Sequence, residues 1–410
     1  MNTPDSHGAS PWKTRPFVEC LAQPGIERPA KLLAREYKTA GPIPVIDQGQ
    51  EFIAGWTTEE KLAIRKNLPF VVFGDHTRVF KFVNFPFALG ADGTHLLKPA
   101  AAFNPYFFYF ACLHLPLPNR GYNRHFTVLK EQGLPQPPTH EQEKIAAILW
   151  KIQRAIVIEE KLVATTRELK HSALHHLFAQ GLRGEDQKQT DIGSIPQSWG
   201  LRALGELIDV THGFAFKSEF FRETGPVVLT PGNFKLDGGL YWGENTKFTA
   251  EVCPDEFRFQ ARDLVVVMTD LTPSAKLLGS PAFIPHDRTI LHNQRIGKVV
   301  PLSDKVRKEF LYWVFLTQPF KNHMVMTATG STVRHTSPGR IRAFPCPIPP
   351  ADEQDEICKI LQEIDHKISV HERKRAILQD LFQTMLHQLM TAQIRVDKLD
   401  IDTSEVHNTL

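Results

Sequence analysis

The chain has 410 residues, of which 42% are hydrophobic, and its 48 basic and 45 acidic residues leave a net charge of +3. That length suggests roughly two to four domains with sizeable cores. The charge balance neither requires nor excludes nucleic acid, so any binding charge must be clustered locally. No run approaches about 18 apolar residues, which argues against a transmembrane helix. The five cysteines form no CxxC pair, so neither a zinc cluster nor a disulfide framework is expected, and a reduced, cytoplasmic protein is the simplest interpretation.

Residues 12–138 are predicted to form a first globular domain of mixed strands and short helices. The region is rich in Pro, Gly and aromatic residues, and it contains apolar runs such as Pro69–Phe73. Such runs are typical of buried strands, and turn residues such as Gly74 and Asp75 follow them.

A block that begins with Pro-Pro and ends with Glu-Gln occurs twice, at 137–142 and at 349–354, and a stretch without Pro or Gly follows each copy. The offset in residue number between the two copies is 353 − 141 = 212. The same offset relates Ile145/Ile357, Ile148/Ile360, Leu149/Leu361, Ile152/Ile364, Ala164/Ala376, Leu169/Leu381, Leu174/Leu386, His175/His387 and Leu177/Leu389. The chain is therefore predicted to be an internal pseudo-twofold repeat of one domain plus one helix. The further segments are a long spacer helix at 139–183, a second globular domain at 196–349, a second spacer helix at 350–394 and a flexible tail at 395–410.

The apolar positions of both long helices alternate in steps of four and three residues, which is the pattern of a coiled coil. Both seams are polar near the middle, with Glu159 in the first helix and His371 and Arg375 in the second. Each helix could pack on its own domain, or the two could pack on each other. Matching lengths and matching polar interruptions favour an antiparallel coiled coil that spaces the domains and brings Glu159 near Arg375 or Lys374.

Two short sequences resemble catalytic motifs but lack the context that the chemistry needs. Asn104-Pro105-Tyr106-Phe107 resembles a loop of amino-methyltransferases, but it lacks that loop's second proline and is interpreted as a turn at the end of a strand. Glu159-Glu160-Lys161 resembles the Glu-x-Lys of metal-dependent nucleases, but it lies in the middle of a predicted helix. The sequence contains neither a GxxxxGK[ST] phosphate loop nor an HExxH motif. We therefore predict that this chain alone is not an enzyme and binds no metal.

Polar residues follow the predicted strands at matching places in both halves. Arg, Asn and Gln side chains can read base edges, whereas Ser, Thr and Lys suit phosphates. Any one of these residues could also belong to an ordinary solvated loop. The candidate DNA-binding residues are Gln48, Gln50, His76, Thr77, Arg78, Lys81, Tyr122, Asn123, Arg124 and His125 in the first half, and Lys217, Thr269, Thr272, Asn293, Gln294, Arg295, Ser331, Thr332, Arg334 and His335 in the second. An Arg-His pair, at 124–125 and at 334–335, occurs in both sets.

Taken together, these features resemble the DNA-specificity subunits of type I restriction-modification systems. The resemblance covers nearly all of the chain and rests on the alternation of globular domains with two Pro-Pro-x-x-Glu-Gln helices. Local matches are Val45–Gln50, Phe73–Arg78, Gly90–Gly93, Trp199 with Leu204–Leu207, and Gly330–Thr332. The chain departs from the family before Lys31, where no Trp-x-x-x-x-Leu-Gly opening like that at Trp199 is recognised.

The resemblance implies an α+β fold with two target-recognition domains, each reading one half of a bipartite sequence in double-stranded DNA. It implies that two methylation subunits, which carry S-adenosylmethionine, dock on this chain. It also implies that restriction subunits, which use ATP and Mg, join the complex, while this chain binds no cofactor. The alternatives are a fused enzyme with its own methyltransferase or nuclease activity, and a scaffold that binds only protein.

Overall fold

The computed structural model describes residues 12–22, 30–90, 93–118 and 124–407, and of His407 only the backbone. The chain divides into two compact units. Unit 1 comprises Met1–Lys161 and His371–Leu410, and unit 2 comprises Leu162–Val370. Each unit therefore contains one globular region together with part of each long helix.

The globular region of unit 1 is built from short strands and two short helices. These are β1 (Lys13–Pro16), β2 (Ile43–Ile46), β3 (Gly55–Thr57), β4 (Ala63–Ile64), β5 (Phe70–Gly74), β6 (Phe80–Val83), β7 (Phe87–Leu89), β8 (Thr94–Leu97), α1 (Pro105–His114), α2 (Phe126–Lys130) and β9 (Gly133–Gln136). The strands form sheets with the orders β1-β9, β3-β2-β7-β4 and β6-β5-β8. The β2 and β7 strands run parallel, and the other pairs are antiparallel.

The Asn104-Pro105-Tyr106-Phe107 sequence begins helix α1 and is not a turn at the end of a strand. The Asn104 side chain accepts hydrogen bonds from the backbone N–H groups of Tyr106 and Phe107 at 3.0 and 3.2 Å, and Pro105 occupies the first turn. Both features are typical of helix starts. Residues 106–112 are all buried, so α1 is a core helix and its first residues have a structural role.

The first long helix, α3, spans Thr139–Gln180. The elements of unit 2 follow it. They are β10 (Gln187–Thr190), β11 (Gly193–Pro196), β12 (Gly200–Ala203), β13 (Ile208–His212), β14 (Phe221–Leu229), β15 (Lys247–Thr249), β16 (Leu264–Val267), β17 (Thr269–Asp270), β18 (Pro281–Phe283), β19 (Ile290–His292), β20 (Ile296–Pro301), α4 (Lys308–Val314), α5 (Gln318–Thr327), β21 (Arg334–His335), α6 (Pro338–Arg342) and β22 (Pro345–Ile348). The second long helix, α7, spans Ala351–Met390, and a short helix, α8, spans Ser404–His407.

The two globular regions share the strand order of two three-stranded arrays. The order β3-β2-β7 in unit 1 recurs as β15-β14-β19 in unit 2, and the last two strands of each set are parallel. The order β6-β5-β8 likewise recurs as β18-β16-β20. The residue numbers at which α2 and α6 start differ by 338 − 126 = 212, so the repeat predicted from the long helices extends into the globular regions.

The long helices pack antiparallel within each unit. In unit 1, Ile145 of α3 shares a buried cluster with Leu386 of α7, and Glu159 binds residues near 371. In unit 2, Leu177 shares a buried cluster with Ile357. Because residue numbers rise along α3 while they fall along α7 in both units, the antiparallel coiled coil predicted from the seams is confirmed.

The Glu-Gln of each repeated block joins a long helix to its globular region. In unit 1, the Gln142 carboxamide accepts a hydrogen bond from the backbone N–H of Asn104 at 2.8 Å, and it donates one to the carbonyl of Ala102 at 3.0 Å. In unit 2, the Gln354 carboxamide likewise accepts from the backbone N–H of Arg307 at 3.0 Å and donates to the carbonyl of Lys305 at 2.8 Å. The motif is therefore a buried clamp between the long helix and the residue just before α1 or α4.

The first globular region does have a tryptophan opening, at Trp12. Lys13, directly after Trp12, pairs with Gln136, and Gly200, directly after Trp199, pairs with Ile348. The two pairing partners are equivalent in the repeat, since 348 − 136 = 212. A 3-10 helix starts five residues after each tryptophan, at Phe17 in unit 1 and at Leu204–Glu206 in unit 2. The opening was not recognised from the sequence because phenylalanine replaces the leucine.

Residues 395–406 contact the rest of unit 1 at several points, which differs from the flexible tail expected from their polar composition. The Arg395 guanidinium makes a two-point contact with the buried Glu141 carboxylate, at 2.7 and 2.9 Å. Val396 and Val406 are buried in the same cluster as Ile145.

Among the helices of the described residues, none combines the length and the apolar character that crossing a bilayer requires.

Glu159 is the polar centre of the helix pair in unit 1. Its carboxylate lies 2.6 Å from Nζ of Lys374 and 2.7 Å from Nδ1 of His371, so the predicted partner Lys374 is confirmed, and His371 takes the place expected for Arg375. The residue numbers of Glu159 and His371 themselves differ by 212, so two equivalent positions of the repeat bind each other. The Lys374 ammonium, and then the His371 imidazole, hold the pKa of Glu159 below its ordinary value.

Glu159→Gln is expected to lower the Tm at pH 7. A carboxyl whose pKa is depressed by folding contributes stability above its ordinary pKa and loses that contribution as the pH falls through the folded value. The difference in Tm between the wild type and the variant should therefore shrink below about pH 4.5. Thermal unfolding between pH 7 and pH 3 measures this difference, with Glu160→Gln at the exposed neighbouring position as the control. Equal Tm values for Glu159→Gln and the wild type at pH 7 would contradict the expectation.

Candidate nucleic-acid interface

In unit 1, the residues after β5 form a turn that is organised by Asp75. Its side chain is 3% exposed, and its Oδ1 accepts a hydrogen bond from the backbone N–H of Phe126 at 2.7 Å. The Asp75 carbonyl accepts from the backbone N–H of His125 at 3.1 Å. These bonds hold the segment around Arg124 beside the turn, although about fifty residues separate them in the sequence.

The loop after β2 is joined to the same turn. Gln48 accepts a hydrogen bond at Oε1 from the backbone N–H of His76 at 3.3 Å, and its carbonyl accepts from the Thr77 hydroxyl. Gly93 lies beside them with φ of +80°, and its carbonyl accepts from the Asp75 N–H at 2.7 Å. The positive φ at Gly93 is a backbone conformation that strains residues with a side chain, so this position favours glycine.

Two residues predicted to bind DNA are buried in unit 1. Lys81 is 3% exposed, and its ammonium donates to the Asp47 carbonyl at 2.9 Å. Burial lowers the pKa of Lys81, and the Asp47 carboxylate, 3.8 Å away, acts in the opposite direction. His125 is 0% exposed, and its Nδ1 lies 2.8 Å from the Asp75 carbonyl. Both side chains therefore support the loops from inside, and neither presents an atom to a ligand.

The other predicted residues of unit 1 that the structure describes lie at or near the surface, and the Arg78 guanidinium donates to the Leu117 carbonyl at 3.0 Å. Tyr122 and Asn123 lie outside the described residues. Those with surface exposure are Gln48, Gln50, His76, Thr77, Arg78 and Arg124. They come from three loops that converge on the end of β5.

In unit 2, the β17 and β21 strands bring two predicted segments together. Thr269 pairs with His335 and Asp270 pairs with Arg334. The Thr269 hydroxyl lies 3.1 Å from Nδ1 of His335, so that ring is held against the strand. Thr269 is 5% exposed and His335 is exposed, so the histidine is the member of this pair that a ligand can reach.

The Asn293–Arg295 turn joins this pair to the loop that contains Lys217. The Arg295 carbonyl accepts from the backbone N–H of Met268 at 2.8 Å, next to Thr269. The backbone N–H of Gln294 donates to the Phe214 carbonyl at 3.0 Å, three residues before Lys217. Sequence segments separated by about a hundred residues thus form one surface in unit 2.

The predicted residues of unit 2 differ in exposure. Asn293 is 8% exposed and accepts from the Arg295 N–H at 2.9 Å, so it shapes the turn. Arg334 is partly exposed, and its guanidinium donates to the Val325 carbonyl at 3.0 Å. The exposed members are Lys217, Thr272, Gln294, Arg295, Ser331, Thr332 and His335. Together they offer cations, amides and hydroxyls, which are the groups that contact phosphates and base edges.

The two Arg-His pairs do not occupy equivalent positions. His125 is the residue before helix α2, and the residue at the same offset, 125 + 212 = 337, is Ser337 before helix α6. Ser337 accepts a hydrogen bond from the backbone N–H of Arg340 at 3.4 Å, as expected of a helix cap. His335 belongs to β21 instead. The sequence match of Arg124-His125 with Arg334-His335 is therefore not a structural correspondence.

The organising role of Asp75 and Asp270 was not recognised from the sequence. Asp75 was predicted as a turn residue and neither aspartate was a candidate DNA-binding residue, whereas both are buried, at 3% and 1% exposed. The available signal was their place after buried apolar strands: Asp75 directly follows the strand at 70–74, and Asp270 lies three residues beyond the strand at 264–267. A buried carboxylate there must satisfy its oxygens with nearby N–H and O–H groups.

Comparison with known proteins agrees with this architecture. The sequence model of the family described as type I restriction modification DNA specificity domain matches residues 196–379. A relative from Methanocaldococcus jannaschii, named type I restriction enzyme MjaVIII specificity subunit, is 25% identical over 274 residues, which cover 65% of this chain and 63% of the relative. A relative from Escherichia coli, named type I restriction enzyme EcoBI specificity subunit, is 24% identical over 227 residues, which cover 54% of this chain and 44% of the relative.

The fold is shared over nearly the whole chain. The crystal structure of the type I restriction-modification system S subunit from M. genitalium superposes with a TM-score of 0.61 at 17% identity, over 95% of this chain and 98% of that one. The chain is similar to type I restriction-modification specificity subunits, and its residues 196–379 match the specificity-domain family. It spans less than two thirds of the length of the two sequence relatives, at 63% and 44%.

Proposed function

We propose that this chain is the DNA sequence-recognition subunit of a type I restriction-modification complex and reads a bipartite target with one unit per half-site. One observation carries the proposal: both units repeat the same two three-stranded arrays but present different exposed polar residues around the end of the central strand. Arg78 and Arg124 belong to the set of unit 1, and Arg295 and His335 to that of unit 2. Shared scaffolds with different loops suit two readers of different sequences.

In this proposal the chain contributes recognition and assembly but no chemistry. S-adenosylmethionine is bound by two methylation subunits, and ATP and Mg by restriction subunits that join them. The clusters built around Asp75 and Asp270 support this division, because their carboxylates are occupied by backbone and side-chain donors of the protein itself. The sequence offers no cofactor loop that would favour a fused methyltransferase or nuclease.

Exposed apolar residues on the long helices support docking of two equivalent partners. In unit 2 they include Leu162 and Leu169 of α3, which are 39% and 54% exposed, and in unit 1 they include Ile377 and Leu381 of α7, which are 60% and 43% exposed. The spacings of seven and four residues fit a coiled-coil stripe. Leu169 and Leu381 are related by the repeat, since 381 − 169 = 212. Each stripe suits an apolar helix of a methylation subunit.

Leu169→Glu and Leu381→Glu are each expected to weaken the docking of one methylation subunit. These leucines are 54% and 43% exposed, and burying the exposed half of one in an interface contributes roughly 0.7–1.5 kcal/mol. The mass of the purified complex, measured by light scattering at subunit concentrations near the dissociation constant, should fall by one methylation subunit. Lys161→Glu, at an exposed position of α3, is the control. A full complex with both leucines replaced would contradict the docking proposal.

Methylome sequencing of a host with and without this chain tests the recognition proposal. A methylated bipartite motif that appears only when the chain is present supports it. Gel shifts with the methylation subunits present, compared between DNA that contains the motif and scrambled DNA, separate a reader from a scaffold. Binding of S-adenosylmethionine by the purified chain alone would favour the fused enzyme instead.

A further inference from the structure

We infer that the buried carboxylates of Asp75 in unit 1 and Asp270 in unit 2 are positioning residues that set the specificity of the two half-sites without touching DNA. The inference rests on the proposed recognition of DNA. In each unit, one buried aspartate would hold the loops in the geometry that discriminates between bases. The sequence analysis pointed only to polar residues of the loops themselves.

Asp270 holds a closed loop in unit 2. Its Oδ1 accepts from both the backbone N–H and the hydroxyl of Thr272, at 2.8 and 2.9 Å. Its Oδ2 accepts from the backbone N–H of Leu277 at 2.7 Å. One carboxylate thus ties the start of the 271–277 loop to its end. The Thr272 hydroxyl also lies 3.0 Å from the Ser274 hydroxyl, which extends the network to the exposed side of the loop.

A second buried group supports the end of this loop. The Lys321 ammonium donates to the Ser280 hydroxyl at 2.7 Å, and Ser280 is 0% exposed. Burial lowers the pKa of Lys321 to about 8, and the nearby Asp270 carboxylate acts in the opposite direction. The loop residues Thr272, Ser274 and Lys276 remain exposed. A hydroxyl-rich and cationic loop is therefore held rigidly from within.

Asp75 directly follows the strand β5 of unit 1, and its carboxylate holds a different segment. Oδ1 accepts from the backbone N–H of Phe126, and Oδ2 lies 3.6 Å from Nε2 of His95. The His95 ring stacks on the Phe126 ring, with centroids 3.9 Å apart. These contacts fix the start of α2 and the exposed Arg124 two residues before Phe126.

Neither carboxylate is placed to contact DNA itself. Both are almost completely buried, and a carboxylate at the surface would repel phosphates. Their effect is on geometry, because discrimination between bases requires donors to be held within about half an ångström of the productive position. Loss of either carboxylate should therefore weaken the preference for the correct bases at one half-site, while the exposed cations continue to attract DNA.

The test uses Asp75→Ala and Asp270→Ala in the full chain, with the methylation subunits present. Asp75→Asn and Asp270→Asn serve as milder variants that keep one carbonyl oxygen. The probes are two pools of duplex DNA in which one half-site of the wild-type target, known from the methylome, is randomised in turn. Sequencing of the bound fraction at fixed salt gives the base preference at each half-site, and binding to scrambled DNA gives the non-specific affinity.

Each alanine variant is expected to lose about 10- to 100-fold in discrimination at one half-site only, with the two variants affecting opposite half-sites. Non-specific affinity should stay unchanged, and the asparagine variants should retain part of the preference. The untouched half-site of each variant is its internal control for folding. A residue that merely stabilised the fold would lower the bound fraction without changing the ranking of bases.

The outcomes separate the inference from the proposal beneath it. If the wild type prefers no sequence in either pool, the recognition function fails and the inference fails with it. If the wild type discriminates and the variants keep its preference at both half-sites, only the inference is overturned. Equal relaxation at both half-sites by one variant would also overturn it. If an alanine variant does not fold, its asparagine counterpart decides the outcome by the same criteria.

Discussion

Insertion of four residues into both long helices, after Lys161 and after Val370, is expected to change the spacer between the half-sites and to leave both half-site sequences unchanged. Four residues lengthen an α-helix by about 6 Å at 1.5 Å per residue. DNA rises about 3.4 Å per base pair, so the preferred spacer should change by about one or two base pairs. The added helical rotation limits which spacer lengths are accepted.

These insertion points preserve the contacts that hold the helices together in each unit. In unit 1, Glu159 keeps its bonds to His371 and Lys374. In unit 2, the Lys170 ammonium keeps its ion pair with Asp365 at 2.7 Å. Insertion into α3 alone would instead shift one helix against the other and disrupt these contacts.

Methylome sequencing of hosts that carry the lengthened chain measures the spacer and both half-sites together. The control places the same four residues in the turn between β10 and β11, after the exposed Asp191, where no change of spacer is expected. A new half-site sequence with the original spacer would show that the helices do not set the spacing.

Arg124→Ala and His335→Ala are expected to impair opposite half-sites. Both residues are exposed, one in unit 1 and one in unit 2. A lost contact to a base edge costs roughly 1–3 kcal/mol, or about 5- to 150-fold in affinity for the correct base. If either side chain contacts only phosphate, its loss should weaken binding to all sequences alike and reduce the salt dependence.

Competition between the target and duplexes with single-base changes measures the two effects separately. Lys81→Met and His125→Gln are informative comparisons, because both side chains are buried and should act through the shape of the loops. Equal damage to both half-sites by Arg124→Ala and by His335→Ala would contradict separate readers.

The sequence by itself determined the repeat, the long helices and their antiparallel packing. These features depend on local signals: steps of four and three between apolar positions, the absence of Pro and Gly, and one constant offset in residue number, 353 − 141 = 212. The polar seam position Glu159 also predicted Lys374 as its partner, since antiparallel packing brings the middles of the seams together. The helix start at Asn104 was misinterpreted although the sequence carries its signal, because an Asn followed by Pro is typical of a helix start.

Only the tertiary structure decided which polar residues of the predicted interface face outward. Lys81 is buried because the loop after β2, thirty-odd residues earlier, supplies carbonyls to its ammonium. Asp75 is buried because it binds a segment about fifty residues later. Burial of a polar side chain depends on partners that arrive from distant strands, and no local pattern of residues encodes that arrival. The same reason explains why the two Arg-His pairs looked equivalent in sequence but occupy different places in the fold.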